Sequence, residues 1–295
     1  MQTNALLDHL ASANPIFFWD PSKLEVERLC FHVDFKAGTL NVSSGVRNDI
    51  LNNVFDGPGF SIIRVPNADQ LTDNELEEVS HVLAGAFGAL MPQNEAGDTF
   101  YRVQAKVSAD RPEYRLSNTS GDTSMHTDCS YGDERPSAIS LFCINPAVEG
   151  GESMIASGYR VLSEYAKSHH DNMSPLSRSY FYHRSHKRHA DDEQVAEYRL
   201  LDVVNGTLSF RYKWPYIELG HKVKGVFLGE NETHFFSSFE TLANRADLVF
   251  RYPLKRGECL IGNNKWIFHN RAPYSDSPHA PKRLMIRHWI DSRTS

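Results

Sequence analysis

Ser124-Met125-His126-Thr127-Asp128-Cys129-Ser130 decides how the rest of the chain is read. On an extended segment, residues two apart project from the same face, so the His126 imidazole and the Asp128 carboxylate point at one spot while Cys129 points away. Such a pair is two thirds of a metal site. The third ligand lies far along the chain, and His269 in Asn263-Asn264-Lys265-Trp266-Ile267-Phe268-His269-Asn270-Arg271 is the best candidate. Two histidines and one carboxylate on one side of an ion leave the opposite positions open, the arrangement of non-haem Fe(II) oxygenases.

An H-x-D triplet alone is common and usually marks a surface strand or a capping Asp. The C-terminal run Arg283-Leu284-Met285-Ile286-Arg287-His288-Trp289-Ile290 adds weight to it. Read as a strand, it places Arg283, Met285, Arg287 and Trp289 on one face and Leu284, Ile286 and His288 on the other. Two arginines on an otherwise apolar strand need anions, and they follow His269 by 14 and 18 residues.

Taken together, His126-x-Asp128, Gly150-Gly151-Glu152-Ser153, His269, Arg283 and Arg287 resemble the TauD/TfdA family of Fe(II)/2-oxoglutarate dioxygenases over roughly residues 55–291. The arginine spacing looks most like the clavaminate synthase-like branch. The resemblance implies a mainly β chain folded as a double-stranded β-helix, a cupin-like jelly roll with helices flanking one side. It implies His126, Asp128 and His269 as ligands of Fe(II), with 2-oxoglutarate and O2 as cosubstrates. Arg283 would take the far carboxylate of 2-oxoglutarate in a two-pronged ion pair. Ser153 stands where the family usually has a threonine whose hydroxyl helps hold that carboxylate. Arg287, nearer the mouth, would bind the substrate. The implied reaction hydroxylates an unactivated C–H bond of a small anionic substrate, an amino acid or amino-acid derivative, releasing succinate and CO2; desaturation and cyclisation are variants. One departure stands out, because the family's frequent Asp-Asn pair before the second histidine is Asn263-Asn264 here. It puts one hydrogen bond behind the ligands in doubt. Two readings from other classes stay open: a zinc hydrolase that activates water on the same trio, and a non-catalytic jelly-roll binding module.

With 295 residues, 40% of them apolar and 11% aromatic, the chain can bury one large core, and it reads as a single domain over 1–295. A net charge of −6 gives no footprint for nucleic acid or an anionic membrane, so the expected partner is a small molecule. Cys30, Cys129, Cys143 and Cys259 form no C-x-x-C pair and read as reduced, packed thiols. No basic leader precedes an apolar stretch, and no apolar run nears the ~18 residues of a membrane span. The expectation is a soluble, cytoplasmic protein.

In chain order, residues 1–50 read as an N-terminal extension with a helical pattern at 4–10 and a strand-like stretch at 25–35. A buried strand is expected at 60–65. Thr72 and Glu75 form a capping box for a helix with Leu76, Val79, Val82, Leu83, Ala86 and Phe87 on its apolar positions. An alternating segment spans 99–107, and the polar loop 117–122 is either a plain connection or a ligand contact. Strands are expected at 137–145 and 152–157 about a Gly150-Gly151 turn, then a helix over 158–169. The basic stretch 180–189 reads as a solvated lid or crossover near 170–200. Phe210-Arg211-Tyr212-Lys213-Trp214-Pro215-Tyr216 reads either as a strand end ended by proline or as a wall of the substrate pocket. A helix over 230–244 buries Phe235, Phe236, Phe239 and Leu242, and short strands follow at 248–253, 258–261 and 266–269.

Overall fold

The computed structural model describes residues 3–36, 39–105, 121, 124–184 and 193–292. Two sheets face each other. The larger has seven strands, in the order Cys30–His32, Phe60–Arg64, Glu258–Asn263, Ala138–Asn145, Leu284–Asp291 and Ala89–Met91, with Phe100–Val103 also pairing with Leu284–Asp291. The smaller runs Val249–Tyr252, Ser153–Ser157, Ile267–Arg271. Phe60 of one sheet meets Phe250 of the other at 5.6 Å between ring centroids, where the inner faces join in the main core. This is the expected jelly roll.

Alternation sorts the C-terminal strand as the sequence pattern requires. Met285 enters the core between the sheets, while Ile286 and Ile290 pack outward beneath two helices. The ladder shifts register between Leu284 and Met285. Because the extra residue belongs to the partner strand, Arg283 keeps the inward face.

Among the described residues six α-helices accompany the sheets: α1 (Thr3–Ser12), α2 (Ser44–Phe55), α3 (Asp73–Gly85), α4 (Gly158–Ser168), α5 (Trp214–Lys224) and α6 (Glu230–Ala243). They are not confined to one side. Helices α2 and α3 lay Ile50, Val54, Leu76, Val79 and Leu83 on the outer face of the large sheet. Helices α4 and α6 join elsewhere through aromatic rings, Tyr165 meeting Phe235 at 5.2 Å and Phe239 meeting Phe268 of the small sheet at 5.9 Å. The capping box of α3 forms in both directions. Val82 departs from its expected place and is 49% exposed, because the buried stripe follows 76, 79, 80, 83 and 84 and leaves 82 outside it.

Three segments differ from the sequence reading. Pro215 does not end a strand; it sits in the first turn of α5, where a missing N–H costs nothing and φ is already helical. The segment near 170–200 is no simple loop, since Ser179–His183 pairs antiparallel with Val195–Arg199 and buries Tyr180 and Tyr182. Residues 185–189 of the basic stretch and the 190–192 that follow, and all of the polar loop 117–122 except Gly121, lie outside the described residues. Last, the first 50 residues contain the start of α2 and supply Leu6, Trp19 and Leu29 to the main core. All four cysteines are free thiols. No helix among the described residues is long and apolar enough to cross a membrane.

Trp19 ties the N-terminal segment down, with its indole buried and its Nε1–H donated to the Pro58 carbonyl at 2.7 Å. Trp19→Ala is therefore expected to lower the unfolding free energy by about 3–5 kcal/mol in urea denaturation. An unchanged midpoint would mean that the segment is not part of the cooperative core.

Candidate metal centre and anion-binding cavity

His126 and His269 are held together by their own backbones. The His126 N–H donates to the His269 carbonyl at 3.1 Å, and the His269 N–H donates back at 3.0 Å. This pair is an isolated bridge at the end of the small sheet, and the chain turns directly after it. The expected strand through 126–128 is thus absent. Asp128 is aimed by a turn instead, with Cys129 at a φ of 54°, and Cys129 lines the cavity rather than pointing away from it.

The turn is clamped from both sides. The Asn264 side chain accepts the Asp128 N–H at 2.8 Å and donates to the Asp128 carbonyl at 2.9 Å. Thr127 donates its N–H to the Tyr212 carbonyl at 2.8 Å, and its hydroxyl accepts the Tyr212 N–H at 3.2 Å. Asn264, which matches the second member of the family's Asp-Asn pair, makes these bonds, and the departure lies at Asn263.

One ligand atom from each of His126, Asp128 and His269 lies within 4.8 Å of the others. Nε2 of His126 is 3.7 Å and Nε2 of His269 3.9 Å from Oδ1 of Asp128. Two donors about 2.1 Å from a shared ion stand at most about 4.2 Å apart, so both separations admit one. His126 Nδ1 lies 2.9 Å from the Ser124 carbonyl, which only accepts. Nδ1 therefore carries the proton and leaves the Nε2 lone pair for a metal.

The electrostatics favour a metal at the same point. Burial pushes the His126 imidazole well below its ordinary value, and pushes His269 down to about 4, so both stay neutral, as ligation requires. Burial alone would raise the Asp128 carboxyl. Arg287, with Lys213 behind it, outweighs burial and holds the group below the usual range. Arg287 Nη1 is 3.2 Å from that carboxylate, its Nε donates to Gln93 Oε1 at 2.9 Å, and Trp289 Nε1 donates to Asp128 Oδ2 at 2.9 Å.

The cavity that opens on these side chains continues to Arg283, which is 1% exposed and whose Nε and Nη1 have no hydrogen-bond partner among the described residues. Buried, unpaired guanidinium donors are costly unless an anion meets them. Gly151, at a φ of +74°, makes room, since a Cβ there would stand 3.1 Å from Arg283 Nε. Ser153 is buried opposite Arg271 with its hydroxyl unpartnered, but it is not among the residues lining the cavity.

The sequence reading passed over Arg271. It lines the cavity two residues beyond His269, on the same strand face, and stacks on Tyr274 at 4.7 Å while Arg283 stacks on that ring at 5.0 Å. The i, i+2 rule applied to 126 and 128 was available for 269 and 271 as well. Lys213 also lines the cavity, in favour of the pocket-wall reading of its cluster. Gln93 carried no signal in sequence.

The profile of the family described as taurine catabolism dioxygenase TauD, TfdA matches residues 25–289 and so begins 30 residues earlier than the resemblance by motif. FR-33289 synthase of Streptomyces rubellomurinus (strain ATCC 31215) is 22% identical over 265 residues, 88% of this chain and 76% of that protein. Uridine-5'-phosphate dioxygenase of Streptomyces sp is 22% identical over 239 residues, 78% of this chain and 84% of that protein. Among solved structures, asparagine oxygenase in complex with Fe(II), 2S,3S-3-hydroxyasparagine and succinate superposes with a TM-score of 0.68 at 15% identity, covering 85% of this chain and 80% of that one. The non-haem iron oxygenase OrfP in complex with Fe and alpha-ketoglutaric acid gives 0.63 at 13% identity, with 85% and 80% covered. These two share the fold. With the profile spanning most of its length, the chain belongs to the taurine catabolism dioxygenase TauD, TfdA family and is a 2-oxoglutarate-dependent non-haem iron oxygenase.

Proposed function

We propose that this chain hydroxylates a C–H bond of a small anionic substrate, an amino acid or amino-acid derivative, using Fe(II), 2-oxoglutarate and O2. One observation carries the reading: a neutral two-histidine, one-carboxylate donor set opens on a cavity whose other end presents the buried, unpartnered donors of Arg283. The structures named above support it, one holding Fe(II), succinate and a hydroxylated asparagine, the other Fe and alpha-ketoglutaric acid. Family membership decides for the oxygenase over a zinc hydrolase or a binding module.

His126, Asp128 and His269 hold Fe(II). The bound ion, with 2-oxoglutarate and O2, supplies the oxidising chemistry, in which the cosubstrate leaves as succinate and CO2 and the substrate gains a hydroxyl. Arg283 takes the far carboxylate of 2-oxoglutarate through its buried guanidinium, which has donors without partners among the described residues, and Gly151 keeps that space free of side chain. The hydroxyl of Ser153 supports the same end from the neighbouring strand. Arg287 acts in two directions at once. Its Nε and Nη1 brace Gln93 and Asp128, and Nη2, which has no partner among the described residues, meets the substrate carboxylate. Trp289 holds the second carboxylate oxygen of Asp128 and fixes which oxygen faces the ion. The whole chain, 1–295, acts as one domain.

The two arginines are expected to separate in kinetics. Removing one partner of a buried ion pair costs roughly 3–5 kcal/mol, and ~1.4 kcal/mol is a decade. Arg283→Ala should therefore raise the apparent KM for 2-oxoglutarate by about 100-fold or more. Arg287→Ala should chiefly weaken the primary substrate and uncouple 2-oxoglutarate consumption from its oxidation. Titrating both compounds against both variants decides the roles, and the opposite pattern reverses them.

Trp289→Phe keeps an aromatic ring and deletes one hydrogen bond to Asp128. Its affinity for Fe(II), measured by anaerobic titration, is expected to fall about ten- to a hundredfold, with 2-oxoglutarate affinity at saturating Fe(II) nearly unchanged. Wild-type iron affinity in this variant would show that Asp128 is oriented without Trp289.

A further inference from the structure

Lys213 stands at the N-cap of α5, and the metal centre fixes where it stands. Thr127, between His126 and Asp128, exchanges hydrogen bonds with Tyr212, so the residue after Tyr212 cannot move independently of the ligands. The Lys213 ammonium lies 4.4 Å from the centroid of the Tyr216 ring, and Tyr216 meets Tyr131 at 5.6 Å; all three line the cavity. A lysine braced on an aromatic wall presents its charge at a defined place.

Among the described residues, Lys213 ion-pairs with no carboxylate, whereas Arg287 is engaged by Asp128 and Gln93 and Arg271 donates to the Gly121 carbonyl. Lys213, Arg271, Arg283 and Arg287 line the cavity, and Asp128 is the single acidic residue among the described ones that do. Fe(II) and the two carboxylates of 2-oxoglutarate cancel in charge. Among the described lining residues an excess of cations therefore remains after both have bound, and a substrate with one carboxylate at Arg287 leaves the Lys213 ammonium without a carboxylate among them. A substrate with a cationic side chain would be repelled there.

Building on the proposed function, we propose that Lys213 is a specificity-determining residue that receives a second anionic group, so that the substrate is a small amino-acid-like molecule carrying two anions. One is the carboxylate at Arg287 and the other a carboxylate or phosphoryl group at Lys213. Lysine, a compact point charge, accepts either shape, where the planar fork of an arginine selects by geometry.

The test uses the full chain, anaerobic, with Fe(II) and 2-oxoglutarate bound, and measures binding by titration calorimetry for three matched pairs: L-aspartate against L-asparagine, L-glutamate against L-glutamine, and O-phospho-L-serine against L-serine. In at least one pair the acidic member should bind about tenfold or more tightly, equivalent to ~1.4 kcal/mol. Lys213→Met should erase that preference, Lys213→Arg should keep it, and the Kd for 2-oxoglutarate should stay within about twofold in both. A preference confined to the first two pairs assigns a carboxylate, and one confined to the third a phosphoryl group. Absence of any acidic preference in the wild type, from equal binding or from none, overturns the proposal, as does a preference that survives Lys213→Met. Failure of the protein to bind 2-oxoglutarate, measured separately, overturns the proposed function instead, and the acid-neutral comparison is then made with Fe(II) alone under the same criteria.

Discussion

The reciprocal backbone hydrogen bonds between His126 and His269 are the constraint on which the site depends. They join two places in the chain 143 residues apart, and only one of these lies in a regular strand. Each such bond is worth only about 1 kcal/mol net, so the pair cannot hold the site unaided. It is enforced from the strand side by Ser153–Ser157, which pairs along the whole of Ile267–Arg271, and from the turn side by Asn264 and Tyr212. The geometry of the three candidate ligands thus rests on backbone groups, with the side chains positioned last. Backbone bonding of this kind can remain in place when a ligand side chain is truncated.

The second constraint is charge. A guanidinium buried as deeply as Arg283, with two donors unpaired, works against folding unless something binds it. Stacking on Tyr274 recovers part of that cost. The remainder is offset when an anion arrives, so ligand binding and stability are linked: a ligand present at a hundred times its Kd adds about 2.7 kcal/mol to the stability of the folded state. The same reasoning explains why burial does not protonate Asp128. The cations Arg287 and Lys213 oppose the desolvation, and the carboxylate stays charged where a metal needs it.

Much of this was legible in the chain, and what was not has identifiable causes. The alternation in Leu284–Asp291 survived because the register shift lies on the partner strand. The α3 capping box and the aromatic face of α6 were read from local spacing, since local hydrogen bonds and a 3.6-residue period produce them. The His126–Asp128 pair was found by a strand rule although the segment is a bridge and a turn. The two side chains nevertheless converge because Asn264, 136 residues from Asp128, and Tyr212, 85 residues from Thr127, hold the turn, and no local pattern encodes that. Helix α5 was hidden because proline marks both the end of a strand and the first turn of a helix. Helix α2 was hidden because its apolar face is thin, with only Ile50 and Val54 fully buried.

The Asn263-Asn264 pair shows how a departure from a family pattern is absorbed. Asn264 must accept from the Asp128 N–H and donate to the Asp128 and Pro136 carbonyls, which an amide can do and a carboxylate cannot. The departure therefore falls at position 263 alone. There the buried Asn263 accepts the Lys265 N–H at 2.8 Å and donates to the Val54 carbonyl at 3.2 Å. Val54 lies in the last turn of α2, where helix carbonyls lack partners within the helix. An aspartate would still accept from Lys265 but would set a carboxylate against that carbonyl. By carrying an amide here, the chain links the turn that supports the metal centre to a helix on the far side of the large sheet, and the N-terminal segment becomes part of what holds the ligands in place.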